Sequence, residues 1–167
     1  MKTLSESELI RIRRHLHTIP ELALHEFQTH DYLLQTIKNF SSANVTIKTS
    51  PKLPTAILVR IKGSDPKRTI GYRADMDALP IKEKTGLSFA SKHSGIMHAC
   101  GHDIHMTVAV GILNYFAVHQ PKDNLIFFFQ PAEESQFGGK RAYDLGLFKG
   151  RWRPDEFYAL HDNPNLP

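Results

Sequence analysis

Cysteine, long apolar runs, repeats and single-sign charge tracts are scarce or missing in this chain, and each absence excludes something. The longest unbroken apolar run, Leu125–Phe129, is far too short to span a bilayer. Met1–Arg14 carries polar groups where a secretion signal needs an apolar centre. A single cysteine, Cys100, excludes an intramolecular disulfide framework and suits a reducing compartment, so a cytoplasmic protein is expected. No repeat or low-complexity tract is present. With 167 residues, 41% of them hydrophobic and 23% charged, the composition is that of one globular domain with a single core. The net charge is +4, yet the excess lies entirely up to Arg73, and acids outnumber bases beyond it. The densest basic group, Arg11–Arg14, fits a solvated helix face better than a nucleic-acid patch, since no surface mixing basic and aromatic residues is legible. Neither nucleic acid nor membrane is an expected partner; a small-molecule substrate is.

What the chain does have is concentrated in Met97-His98-Ala99-Cys100-Gly101-His102-Asp103-Ile104-His105-Met106. The only thiol, three imidazoles and a carboxylate fall within ten residues. Thiolate, imidazole and carboxylate are the ligands that Zn²⁺ and similar cations take. Further on, Pro131-Ala132-Glu133-Glu134 ends a hydrophobic run with paired acids.

Ser5 and Glu8 form a capping-box pattern, and Leu9, Ile12 and Leu16 follow at helical spacing, so a helix is expected over Glu6–His17. A second is expected over Glu26–Lys38, burying Phe27, Leu34 and Ile37. His15, His17, His25 and His30 have no partner at ligand spacing and are expected to be structural or exposed, and His93 is expected to be exposed. Val45–Lys48, Thr55–Ile61 and Thr69–Ala74 look like strands, the last two joined by the turn Gly63-Ser64-Asp65-Pro66. Asp75 and Asp77, at i and i+2, could serve a metal, hold an imidazole or cap the next turn. Asp103 would cap a helix running to about His119, or orient a ligand histidine. Leu125–Phe129 has the pattern of a central strand buried on both faces. Gly138-Gly139 opens a helix to about Leu147, and Phe157–Leu160 is a last strand ending at His161. The alternation predicts an α/β fold, a three-layer sheet with helices on both faces. Asp75, Glu133-Glu134 and His161 would then stand at the carboxyl ends of strands, where such sheets collect ligands.

That set suits amide hydrolysis. A bound cation polarises the carbonyl and acidifies water, and an unligated carboxylate carries the proton to the leaving amine. Adjacent glutamates can divide these tasks.

With those residues in view the chain resembles the amidohydrolase branch of the aminoacylase/carboxypeptidase metallopeptidase family. The matching words are Arg13-Arg14-His15-Leu16-His17 with Pro20-Glu21-Leu22, Arg73–Pro80, Met97–His105, Gln130–Glu134 and Ala159-Leu160-His161, in family order along almost the whole chain. The resemblance implies a zinc-peptidase-like catalytic domain with a two-metal site for divalent ions (Zn²⁺, Mn²⁺, Co²⁺ or Ni²⁺). Cys100, His102, Glu134 and His161 match its ligands, Cys100 standing where related peptidases have a bridging aspartate. Glu133 matches its general base, and Asp75 its other active-site acid, acting by fixing the site's geometry. Ile70–Arg73, His105-Met106 and Trp152–Asp155 point, within the branch, to removal of acetyl from N-acetyl-diaminopimelate, a step of lysine biosynthesis, with other N-acyl amino acids as alternative substrates. A non-catalytic fragment that binds metal or a partner is the reading from another class. The resemblance also implies a lid domain used for homodimerisation, and a return to the catalytic domain bringing one more ligand histidine. Residues 1–167 are therefore expected to be the N-terminal, incomplete part of the catalytic domain, with weak or no activity alone.

Overall fold

The computed structural model describes residues 2–40 and 42–163. Helix α1, Glu6–Thr18, starts on the capping box visible in the sequence: the Ser5 hydroxyl accepts from the Glu8 amide, and the Glu8 carboxylate accepts from the Ser5 amide at 2.7 Å. Helix α2, Phe27–Lys38, buries Thr29, Leu33 and Ile37. Phe27 is exposed and Leu34 only partly buried, contrary to expectation. The inward stripe runs through 29, 33 and 37 at i, i+4 spacing, and Phe27 lies on the opposite side of the helix.

Strands β1 (Val45–Ser50) and β2 (Leu53–Ile61) form an antiparallel hairpin, and β3 (Thr69–Asp75) follows the Gly63–Pro66 turn. Helix α3 (His102–Val118) leads to β4 (Asn124–Gln130). Helix α4 (Gly138–Asp144), a 3₁₀ turn (Gly150–Trp152) and β5 (Glu156–Ala159) complete the chain. The sheet order is β1-β2-β4-β3-β5. Although β2 and β3 are consecutive, they are not neighbours, because β4 inserts between them, antiparallel to β2 and parallel to β3. This central place is what the Leu125–Phe129 run demands, since Ile126, Phe127, Phe128 and Phe129 are all buried.

Helices α1, α2 and α3 cover one face, with Leu16, Leu33, Ile37, Met106, Val110 and Leu113 against Ile57, Val59, Phe127 and Phe129. Helix α4 and the turn after it cover the other, with Ala142, Leu147 and Trp152 on Leu58 and Phe128. The sheet is thus the middle of three layers, as expected. Each fully buried large apolar side chain contributes about 1.5–3 kcal/mol, so Met106, Val110 and Leu113 anchor α3 far more firmly than its N-cap, Gly101, which offers no side-chain bond. Strands β3, β4 and β5 are parallel, so the segments leaving their carboxyl ends meet at one edge. Strand β5 is outermost, with Phe157 and Tyr158 exposed. Among the described residues no helix is long and apolar enough to cross a membrane.

Candidate metal centre

Asp75 is the last residue of β3, Glu133 comes shortly after β4, His161 shortly after β5, and His102 is the first residue of α3. The loop before α3 turns at Gly101, whose φ is +107°; a Cβ there would lie 2.2 Å from the Asp162 carboxylate, so only glycine lets this loop meet the end of the sheet.

His102 is the hub. Its Nδ1 donates to the Asp77 carbonyl at 2.8 Å, which leaves the Nε2 lone pair facing into the site. Nε2 is buried and has no hydrogen-bond partner among the described residues. Around it stand Asp75 Oδ2 at 3.7 Å, Glu133 Oε2 at 3.8 Å and Glu134 Oε1 at 3.7 Å. Those distances are too long for hydrogen bonds and leave room for a cation between the nitrogen and the acids. On the other side, Cys100 Sγ lies 3.4 Å from His161 Nε2. Potential ligand atoms within 4.8 Å of one another group as Cys100–His102–His161, His102–Glu133–Glu134, Asp75–His102–His105 and His105–His161–Asp162. An orphaned buried nitrogen, three carboxylates and a thiol fit a divalent cation.

The six residues expected from the sequence therefore converge: Asp75, Cys100, His102, Glu133, Glu134 and His161. Three further residues assemble them. Asp77 lies just beyond β3 and accepts from the Glu133 and Glu134 amides at 2.9 and 3.0 Å, so one carboxylate fixes the backbone of both glutamates. His105 joins Asp75 Oδ1 to Asp162 Oδ1, each at 2.7 Å. Arg73 pairs with Asp75 at 2.6 Å and lies 3.9 Å from Glu133. The Asp-x-Asp spacing was a signal for Asp77; the Asp75 carboxylate holds the His105 imidazole, whereas Asp77 holds His102 through its main-chain carbonyl and spends its carboxylate on the two glutamate amides. His105 sat inside the ligand cluster with nothing in the spacing to separate it from a ligand. Asp103 departs from expectation: it caps nothing beyond the adjacent Ile104 amide, and instead binds His17 Nδ1 at 2.7 Å and Arg13 at 2.9 Å, tying α3 to α1. His17 is buried and structural, while His93, expected to be exposed, is half-buried because it donates to the Pro20 carbonyl.

The electrostatics follow this arrangement. Burial alone would raise the Asp75 pKa, but the His105 hydrogen bond and the charges of His102 and Arg73 hold it below the ordinary carboxylate value. Burial would lower that of His102, and Asp77 and Asp75 outweigh it and raise it. Negative surroundings that favour a proton on Nε2 favour a metal cation in its place. The Cys100 thiol is pushed up to about 11 by burial and by the Glu134 carboxylate; a bound cation acts in the opposite direction. His98, buried with both ring nitrogens unpartnered among the described residues, is held at about 4 by burial and is neutral at pH 7.

Comparison with known proteins sets this centre in a family. The family model described as peptidase family M20/M25/M40 matches residues 71–167, more than half of the chain. The chain belongs to that family. It is 70% identical over 167 residues to the N-acetyldiaminopimelate deacetylase of Lactobacillus helveticus, a match covering all of this chain and 44% of that protein. The enzyme of the same name from Limosilactobacillus reuteri is 66% identical over 164 residues, 98% of this chain and 43% of the relative. Among solved structures, the Bacillus subtilis YXEP protein, described as a dinuclear metal binding peptidase from the M20 family, superposes with a TM-score of 0.89 at 36% identity, covering 96% of this chain and 44% of that one. This M20/M25/M40 chain thus spans less than half the length of the relatives it matches.

Proposed function

We propose that residues 1–167 carry the N-terminal part of the catalytic domain of a metal-dependent deacetylase that converts N-acetyl-diaminopimelate to diaminopimelate and acetate. The observation that carries the reading is the buried, unpartnered His102 Nε2 ringed by three carboxylates. Its substrate comes from the names of relatives that are 66–70% identical. Cys100, His102, Glu134 and His161 would hold the cation, two ions per site in the complete protein. A divalent ion bound there supplies Lewis acidity toward the amide carbonyl and acidifies water. Glu133, the more exposed glutamate at 39% against 23% for Glu134, stays free to move protons. It takes one proton from the attacking water and passes it to the departing nitrogen, so the carboxylate is unchanged when acetate and amine leave. Arg73 and Asp77 keep Glu133 in place, and Asp75 fixes His105 and the floor of the site. We place the reaction in the cytoplasm, as part of lysine biosynthesis, with a homodimer as the complete assembly.

The share of the relatives' length covered favours a second reading beside the first, in which residues 1–167 bind metal and turn nothing over. Metal content by mass spectrometry, with acetate release from N-acetyl-diaminopimelate and benzoate release from hippurate, separates them. Metal with acetate release supports the deacetylase, and metal without it the second reading; folded protein without metal contradicts both. Glu133→Gln, made here and in the Lactobacillus helveticus relative, is expected to lower acetate release by about 10²–10⁴-fold with metal retained.

A further inference from the structure

The backbone that presents Glu133 and Glu134 is held by more than Asp77. Ala132 is fully buried with φ +56°, a left-handed conformation that a residue with a Cβ adopts rarely. Its carbonyl accepts from the Gly138 amide at 3.0 Å, and a Cβ at Gly138 would lie 1.7 Å from the Pro131 carbonyl oxygen, so the turn folds tightly on itself. Glu26, at the N-cap of α2 and wholly buried, reaches this turn across 106 positions of sequence: its Oε1 accepts from the Ala132 amide at 2.8 Å. The same oxygen accepts from the Leu24 amide at 3.0 Å, and Leu24 is itself left-handed at φ +65°. Oε2 accepts from the Thr55 hydroxyl at 2.8 Å, which fixes the carboxylate to β2. Two of the three left-handed non-glycine residues among those described therefore have their amides on one oxygen of one side chain. Together Glu26 and Asp77 take three consecutive amides, Ala132, Glu133 and Glu134.

We infer that Glu26 is a positioning residue of the centre: it clamps the strained Pro131-Ala132 turn and so sets where the Glu133 and Glu134 carboxylates stand relative to His102. The role at the centre rests on the metal reading above; the clamp on the turn does not, and the two can fail separately. Glu26 lies outside the groups of candidate ligand atoms and acts through the backbone. The acceptor oxygens matter here. A glutamine at 26 keeps its carbonyl for both amides and can donate its amide hydrogens to Thr55, whereas alanine deprives the buried Ala132 amide and Thr55 hydroxyl, and the half-buried Leu24 amide, of their partner.

Amide hydrogen exchange resolved to single residues, on the metal-free chain, tests the clamp, and Co²⁺ titration tests its consequence. Glu26→Ala is expected to speed exchange at Ala132, Glu133 and Glu134 by about 10-fold, leave the α3 amides as in the parent, and weaken Co²⁺ binding about 10-fold. Glu26→Gln is expected to stay within about 2-fold of the parent in both. Thr55→Val, which conserves volume and unfastens only Oε2, should give a rise of about 3-fold confined to the same amides, and it stands in if the alanine variant does not fold. Unchanged exchange at 132–134, a uniform rise along the whole chain, or glutamine as damaging as alanine overturns the inference. A parent that takes up no Co²⁺ sinks the metal reading, while the exchange result still decides the clamp.

Discussion

Two buried histidines of this chain are each surrounded by acids, and they differ in spacing. His17 meets Asp103 at 2.7 Å and Glu83 at 3.3 Å, with Arg13 2.9 Å from the same aspartate. Every ring nitrogen there is matched at or near hydrogen-bond distance, and the network joins α1, α3 and the loop carrying Glu83. His102 has carboxylate oxygens at 3.7, 3.7 and 3.8 Å from a nitrogen that bonds none of them. The residue types are the same in both places. A closed network holds helices together; an open one leaves a gap of cation size between the buried His102 nitrogen and the acids.

Substitutions sharpen this contrast. The largest effect is expected for His102→Ala, which should weaken Co²⁺ or Zn²⁺ binding by more than about 100-fold in a competition titration with a chelator, since on the proposed reading it removes a ligand rather than a ligand's support. His17→Gln should do the reverse: a loss of about 1.5–3 kcal/mol in urea unfolding, from a hydrogen bond to a charged partner, with metal affinity unchanged. If His17→Gln abolished metal binding instead, the two networks would not be separable. Cys100→Ser is expected to weaken Co²⁺ binding about 10-fold and erase the sulfur-to-cobalt absorption band.

The smallest effect is a pH dependence. The His17 pKa is raised above 6.5, first by its hydrogen bond to Asp103, against burial and the charge of Arg13. Its contribution to stability is whole below its unfolded value of 6.5 and fades as pH climbs through the raised native value. The stability gap between parent and His17→Gln should therefore narrow from about pH 6 to about pH 9, followed by denaturant unfolding of metal-free protein. A gap that widens over that range contradicts the pairing.

Local signals in the sequence carried much of this. The Ser5/Glu8 capping box, the helical stripe of α3 and the apolar run of β4 depend on neighbours in the chain, and they were legible. So was the delivery of Asp75, Glu133, Glu134 and His161 to strand ends, since alternation of strand and helix implies parallel strands. Insertion of β4 between β2 and β3 was not, because partner choice between distant strands leaves no periodicity. Phe27 was misplaced because the inward stripe runs through Thr29, Leu33 and Ile37, which puts Phe27 on the far side of the helix. Glu26, Asp77 and Asp103 were missed or misassigned for one reason. Each carboxylate has a partner 56 to 106 positions away, and a buried acid that binds distant amides or a distant imidazole looks, in a sequence, like any solvated one.

The His102 centre is tested most directly by titrating Co²⁺ into residues 1–167 after chelator treatment, with visible and near-ultraviolet absorption recorded for the parent and for His102→Ala. Saturable uptake with a sulfur-to-cobalt band in the parent, lost in the variant while the circular dichroism of both stays that of folded protein, is the expected result. A folded parent that takes up no cobalt, or takes it up equally well without His102, contradicts the metal centre.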